Sequence, residues 1–210
     1  MEIKEIHKKL ENIPHMRLKQ AEYITKFIVE NNIKNVLELG FCHGVSSCYI
    51  ASALDKTDGK LVTIDLKGAK QHNPNIETLS KALGLYKRME IYYEPTSYTW
   101  RLMRFLEKNP LPKFDLCYID GAHNWFVDGF AFFLVDRLLN QGGYIIFDDI
   151  NWTYFTSPSL WNSNMVKNMP MDEKCCRQVK KVFDLLVKTD PKYGDFKIWD
   201  HWAIAKKIKS

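Results

Sequence analysis

The stretch Val36-Leu-Glu-Leu-Gly-Phe-Cys-His-Gly-Val-Ser-Ser47 decides the fold. A short apolar run carrying one acid ends in two glycines four residues apart, and two hydroxyls follow. Val36, Leu37 and Leu39 read as a strand buried on both faces, Gly40 and Gly44 as a tight turn tolerant of positive φ, and Val45 onward as the start of a helix. Strand, turn and helix start together make a cradle for a small ligand, because free N–H groups and the helix dipole favour an anionic group there. A nicotinamide-binding turn would more often show G-x-G-x-x-G, with its acid at the end of the second strand. Here Phe41 or Cys42 stands where the middle glycine would be and Glu38 lies inside the motif, giving E-x-G-x-x-x-G.

Glu38-Leu39-Gly40 with Gly44 and Ser46 resembles motif I of the class I S-adenosylmethionine-dependent methyltransferases. The resemblance implies a Rossmann-like α/β fold: a doubly wound, seven-stranded sheet with an antiparallel last strand, binding S-adenosyl-L-methionine. It also implies that Gly40 and Gly44 pack against the methionine part of that cofactor and that Ser46 holds its carboxylate. Glu38 would then lie near the sulfonium and ammonium.

With 210 residues and 46% apolar content, the chain can bury one sizeable core, and a single domain over 1–210 is expected. The formal charge of +5 comes from scattered lysines and a basic end, so a nucleic-acid footprint is not expected. A phosphorylated or nucleotide-linked substrate remains compatible with it. Cys42, Cys48, Cys117, Cys175 and Cys176 show no metal-ligand spacing and fit a reduced, cytoplasmic setting. No apolar run approaches the length of a membrane span.

Residues 1–32 carry apolar positions at helical spacing and read as two helices broken near Ile13-Pro14, a cover for the sheet in which Met16 could also reach the cofactor. After the motif, a helix over 45–54 and a turn over Asp55–Gly59 lead to the strand Lys60–Asp65. Asp65, at the end of that second strand, suits the two vicinal hydroxyls of a ribose; the alternative is a solvated loop aspartate. Residues 67–75 read as a polar loop bordering the substrate mouth, residues 76–87 as a helix and Met89–Tyr93 as a third strand. By the resemblance, Ser97 would meet adenine, with Thr96 second, although the family's usual glycine-acid pair is replaced by Glu94-Pro95. A helix over 98–108 stops before Pro110 and Pro112.

The second informative stretch, Lys113-Phe-Asp-Leu-Cys-Tyr-Ile-Asp120-Gly-Ala-His123, is an apolar strand delivering an acid at its end. A helix over 125–139 follows, with Asn140–Gly143 as its C-cap, and then a fifth strand from Tyr144 to the pair Asp148-Asp149. Three carboxylates at one sheet edge repel unless a cation or proton intervenes. This pattern resembles the metal-dependent O-methyltransferases of the catechol and caffeoyl-CoA type, and the sugar-directed macrocin type most. By that resemblance Asp120, Asp148 and Asp149 would hold Mg²⁺, Asp120 would also face the cofactor, and His123 would be the general base. Consecutive strand residues point to opposite faces, so Asp148 and Asp149 share an ion only if the strand has already ended. A metal-free site with the same acids is the alternative; the other five histidines read mostly as surface residues.

Residues 151–171 form an aromatic insertion directly after this site, either a lid over the substrate or a dimer contact. A helix over 172–188 and a hairpin of 196–199 with 202–205 close the chain. The expected activity is methyl transfer to a hydroxyl of a small molecule, a sugar or nucleotide-sugar first and a phenol second. The alternatives are a metal-independent methyltransferase, a dehydrogenase and a non-catalytic nucleotide-binding module. The Asn/Asp-Pro-Pro-aromatic signature of a nucleic-acid methyltransferase is replaced by Asp120-Gly-Ala-His123.

Overall fold

Strand β1 (Asn35–Leu39) forms where the quoted stretch required it, and the sheet extends to both sides of it. The computed structural model describes residues 2–14 and 16–210; Met1 and His15 lie outside the described residues. The other strands are β2 (Lys60–Leu66), β3 (Met89–Glu94), β4 (Phe114–Ile119), β5 (Leu139–Phe147), β6 (Tyr193–Trp199) and β7 (Trp202–Lys207). Their spatial order is β3-β2-β1-β4-β5-β7-β6. The first five run parallel, and β7 lies antiparallel between β5 and β6. This is the Rossmann-like, doubly wound sheet expected. The order reverses between β1 and β4, so a crevice opens at the carboxyl ends of these strands.

Helices α1 (Ile3–Leu10), α2 (Leu18–Glu30), α3 (Val45–Thr57) and α4 (Ile76–Ala82) supply one layer. The other is built from α5 (Tyr98–Leu106), α6 (Trp125–Leu138) and, after the short α7 (Asn164–Lys167) and α8 (Met171–Lys174), α9 (Gln178–Val182). Alternation along β1 sends Val36 toward Ile24, Ile28 and Tyr49 on the first side, and Leu37 and Leu39 toward Leu102, Phe132 and Val135 on the second. Each fully buried aliphatic side chain contributes roughly 1.5–3 kcal/mol, so both layers are held mainly by apolar burial.

One polar network sits inside this core. Glu38 is fully buried on the α3 side and accepts from Ser46 Oγ at 2.6 Å, Thr63 Oγ1 at 2.6 Å and Ser47 Oγ. It joins β1, β2 and the first turn of α3. Burial pushes its carboxyl up from 4.5 to about 7, against the lowering effect of the three hydroxyls. At the opposite end of the sheet, Asp115 Oδ2 accepts the N–H groups of Lys34 and Asn35 at 3.1 and 2.9 Å, and its Oδ1 accepts Asn140 Nδ2 at 2.9 Å.

Several boundaries differ from the sequence reading. Helix α3 continues to Thr57 and takes in most of the expected 55–59 turn, ending at Asp58 in the left-handed region. The 76–87 helix stops at Ala82, because Gly84 takes φ +69°, and a 3₁₀ turn at Tyr86–Arg88 completes the connection. Loop 67–75 contains a 3₁₀ turn, Lys67–Gln71. Asn140–Gly143 does not cap α6: Leu139 is already extended, and these residues bulge from β5 where its register with β4 jumps between Phe114 and Leu116. The expected 172–188 helix is split into α8, α9 and a π-helical segment at Phe183–Val187. Among the described residues no helix is long and apolar enough to cross a membrane.

The folded state keeps the Glu38 proton up to about 7, whereas the unfolded chain releases it near 4.5, so this group's stabilising contribution is full below 4.5 and lost as pH rises through 7. Two to three pKa units correspond to on the order of 3 kcal/mol. Glu38→Gln should therefore lose less stability than the parent between about pH 4.5 and pH 8. Denaturant titrations across that range check this, and parallel stability curves for the two proteins would exclude it.

Candidate active site

A cavity of about 770 Å³ opens at the carboxyl edge of the sheet, within the roughly 300–1,000 Å³ usual for small-molecule sites. The glycine turn forms its floor. Gly40 and Gly44 take φ +90° and +93°, and a Cβ at Gly40 would overlap the Asp120 carbonyl, so the turn lies directly against the end of β4. Asp65 stands beside it. Its Oδ2 accepts the N–H groups of Phe41 and Cys42 at 2.9 and 2.7 Å, and its Oδ1 accepts that of Leu66 at 2.6 Å. The carboxylate braces the turn and still lines the cavity, with acceptor capacity left over.

Ser97 also lines the cavity, but as the N-cap of α5, accepting from the Thr99 N–H at 3.1 Å. Met16 contributes to the opposite wall together with Arg17, which is tied by a 2.7 Å ion pair to Asp200 in the β6–β7 turn. One expectation about the floor needs correction. Glu38 does not face the cavity: alternation places it on the α3 side of β1, where three hydroxyls occupy its oxygens. Ser46 reaches the cavity, yet its hydroxyl proton is directed at Glu38.

The acidic wall is built from the ends of β4 and β5. His123 Nε2 is buried and lies 3.4 Å from Asp120 Oδ1 and 3.2 Å from Asp149 Oδ2, within ion-pair reach of both. Ligand atoms of these three residues all fall within 4.8 Å of one another. Asp148 is not among them. Strand β5 ends at Phe147, before the acidic pair, and Asp149 then takes φ +55°, which sends the two side chains apart. Asp148 accepts from the Tyr118 hydroxyl and, at 2.6 Å, from the Asp149 N–H. Asp120, His123 and Asp149 thus form the tight group, with Asp148 lining the same cavity beside it.

The loop carrying His123, itself at φ +55°, is fixed from several sides. Asn124 caps α6 by accepting the Val127 N–H at 2.8 Å, and the Trp125 N–H reaches Gln178 Oε1 at 2.8 Å. Tyr98 accepts the Ala122 N–H at 3.3 Å and donates to the buried Asp128. From the insertion, Trp152 lies 5.1 Å from His123, ring to ring, with Tyr154 packed edge-on behind it. Phe155 and Trp161 of the same insertion are exposed.

Charges here are strongly linked. Burial lifts the Asp120 carboxyl well above its ordinary range and the nearby Asp148 lifts it further, while His123 opposes both. Burial alone would lower the His123 imidazole, but Asp120 and Asp149 outweigh it and hold it well above its ordinary value. Without another cation the cluster therefore keeps a proton on His123.

A family model described as "Methyltransferase domain" matches residues 37–150, which includes the glycine turn, Asp65 and every member of the acidic wall. The chain belongs to the class I S-adenosylmethionine-dependent methyltransferases. It is similar to the O-methyltransferase hkm8 of Aspergillus hancockii, 26% identical over 164 residues, 76% of this chain; it spans only 60% of that relative's length. Among solved structures, one is from Staphylococcus aureus, a protein provisionally described as a caffeoyl-CoA O-methyltransferase. It has a TM-score of 0.69 and 23% identity, over 99% of this chain and 92% of that one. Another is the O-methyltransferase TomG from Streptomyces achromogenes, solved with S-adenosylmethionine. It has a TM-score of 0.69 and 15% identity, over 99% and 88% of the two chains. These structural likenesses establish the fold.

In this methyltransferase several cavity residues went unread in the sequence, Tyr98, Tyr118 and Arg17 among them. Tyr118 had a readable signal, since it stands two residues before Asp120 and so on the same side of β4. Tyr98 and Arg17 had none, being placed by packing of distant segments.

Gly40→Ala forces both a left-handed backbone on an L-residue and an overlap with the Asp120 main chain. It should cost at least about 3 kcal/mol of unfolding free energy, measured by denaturant titration. A loss under about 1 kcal/mol would mean that the turn does not rest on β4 as described.

Proposed function

We propose that this methyltransferase transfers a methyl group from S-adenosylmethionine to a hydroxyl of a small molecule, with a divalent cation held by Asp120 and Asp149 and with His123 as general base. The observation that carries this reading is the buried Nε2 of His123, set between two carboxylates at 3.2 and 3.4 Å at the edge of a cavity floored by the glycine turn. When bound, the cofactor supplies an electrophilic methyl on a sulfonium. Gly40 and Gly44 leave bare backbone for its methionine part, and the first turn of α3 directs N–H groups at its carboxylate. To Asp65 we assign the ribose hydroxyls and to Ser97 the adenine, both residues lining the cavity. Glu38 acts beneath the turn, as a positioning residue.

The donor set fits a hard cation such as Mg²⁺, which is usually held by one or two carboxylates, with water and substrate completing its shell. Such an ion would lower the pKa of a coordinated hydroxyl and orient it. His123 depends on that neutralisation. Asp120 and Asp149 hold the imidazole well above its ordinary value, which favours its protonated form; a cation shared with those acids would offset their pull and favour a neutral base. Its Nε2 then takes the hydroxyl proton as the acceptor oxygen gains the methyl. Asp148 also lines the cavity, with one oxygen taken by the Tyr118 hydroxyl, and we give it a supporting role rather than a ligand's.

As acceptor we take a sugar hydroxyl first and a phenol second; Trp152 packs against the base from the aromatic insertion. Calorimetry should find S-adenosylmethionine bound at one equivalent and NAD not bound; the reverse would return the chain to the dehydrogenase alternative. In a mass-detected screen of hydroxylated acceptors, a chelator should abolish turnover and Mg²⁺ should restore it. Turnover indifferent to chelation would remove the cation. His123→Ala should lower kcat by roughly a hundredfold or more with little change in cofactor affinity. Asp149→Asn should impair Mg²⁺ rescue more than Asp148→Asn, and equal effects would return Asp148 to the ligand set.

A further inference from the structure

On the other side of the glycine turn lies a second cluster that the methyl-transfer reading does not use. Cys42 and His43 are adjacent in the turn, and His72 comes from the loop after β2, yet their ligand atoms all fall within 4.8 Å of one another. Cys42 Sγ is 3.5 Å from His72 Nε2. The His43 and His72 rings stack with centroids 4.3 Å apart. His43 Nδ1 lies 2.8 Å from the Pro74 carbonyl, an oxygen that can only accept, so Nδ1 is the donor there and Nε2 is the ring atom that would ligate.

We propose that Cys42, His43 and His72 form a binding site for a borderline-soft divalent cation, Zn²⁺ by its donor set, distinct from the carboxylate cluster at Asp120 and Asp149.

Three features support this assignment. The first is ligand chemistry: one thiolate and two imidazoles select Zn²⁺ over Mg²⁺, whereas the carboxylate wall has the opposite preference. The second is spacing. A tetrahedral ion with bonds of about 2.3 Å to sulfur and 2.0–2.1 Å to nitrogen sets those two atoms roughly 3.5 Å apart, which matches the Cys42–His72 separation. The third is the partner of His43: a ligating imidazole commonly donates its other N–H to a carbonyl, which fixes tautomer and ring orientation, and Pro74 supplies that carbonyl. The Asp65 carboxylate, bonded to the Cys42 N–H at 2.7 Å, adds negative charge beside the thiol and favours a cation there.

Three protein ligands leave a fourth position for water or an external donor, the pattern of exchangeable rather than structural zinc. Cys42 and His72 both line the main cavity, so the site ties two of its walls, the glycine turn and loop 67–75. Occupancy would fix their separation.

The test uses the full chain stripped of metal and titrated with Co²⁺, which reports its ligands by colour. One equivalent should give intense tetrahedral d–d bands with a thiolate-to-metal charge-transfer band, and Zn²⁺ should displace them. Cys42→Ser should remove the charge-transfer band and weaken Zn²⁺ binding at least about 100-fold. His72→Ala, which keeps the thiol and leaves the turn intact, should weaken it similarly, with circular dichroism confirming that both variants fold. Asp149→Asn should leave the charge-transfer band in place. One equivalent of Zn²⁺ should also slow alkylation of Cys42, followed by peptide-resolved mass spectrometry. A Co²⁺ complex without thiolate character, or a band that survives Cys42→Ser, overturns the proposal. Neither readout requires cofactor or turnover, so failure here is separable from failure of the methyl-transfer reading.

Discussion

The structure depends on one buried acid. Glu38 holds the hydroxyls of Ser46, Ser47 and Thr63, and so fastens the central strand to its neighbour and to the helix that follows the glycine turn. Isolated, a buried carboxylate would be costly; surrounded by three donors it becomes a joint with fixed directions. Everything that faces the cavity from this side inherits its position from that joint. The turn lies above it, Asp65 clamps the turn from β2, and the Asp120 main chain packs against Gly40. Burial that raises the Glu38 carboxyl is thus a by-product of placing the ligand cradle on a rigid base.

The sequence made the fold legible because its signals were local. An apolar run ending in two glycines and hydroxyls specifies strand, turn and helix without reference to distant residues, and the strands ending in Asp65, Asp120 and Asp148 could be read the same way. Side-chain direction was harder. Glu38 was expected to face the cofactor, although Val36 on the same face pointed to the α3 layer, and the hydroxyls at Ser46, Ser47 and Thr63 were available to receive it. Asp148 and Asp149 are adjacent in sequence, and only the end of the strand before them and the left-handed Asp149 backbone decide that one turns inward and the other out. The Cys42, His43 and His72 cluster was invisible because its members come from two loops brought together by parallel pairing of β1 and β2.

The two groups of ligating side chains occupy opposite flanks of the same turn and differ in hardness. One offers carboxylate oxygens beside an imidazole, the other a thiol beside two imidazoles. By donor chemistry the first suits a hard cation and the second a borderline-soft one.

Asp115 has a consequence reaching the far side of the molecule. Its single carboxylate gathers the start of β1 and the bulge of β5 around β4, at the end of the sheet remote from the cavity. Slipping one of these strands by one residue would carry its upper end about 3.3 Å along its axis and swing its last side chain to the opposite face. Gly40, Asp120 and the bend before Asp149 are thus levelled against each other from below, much as the height of a table is set at its feet.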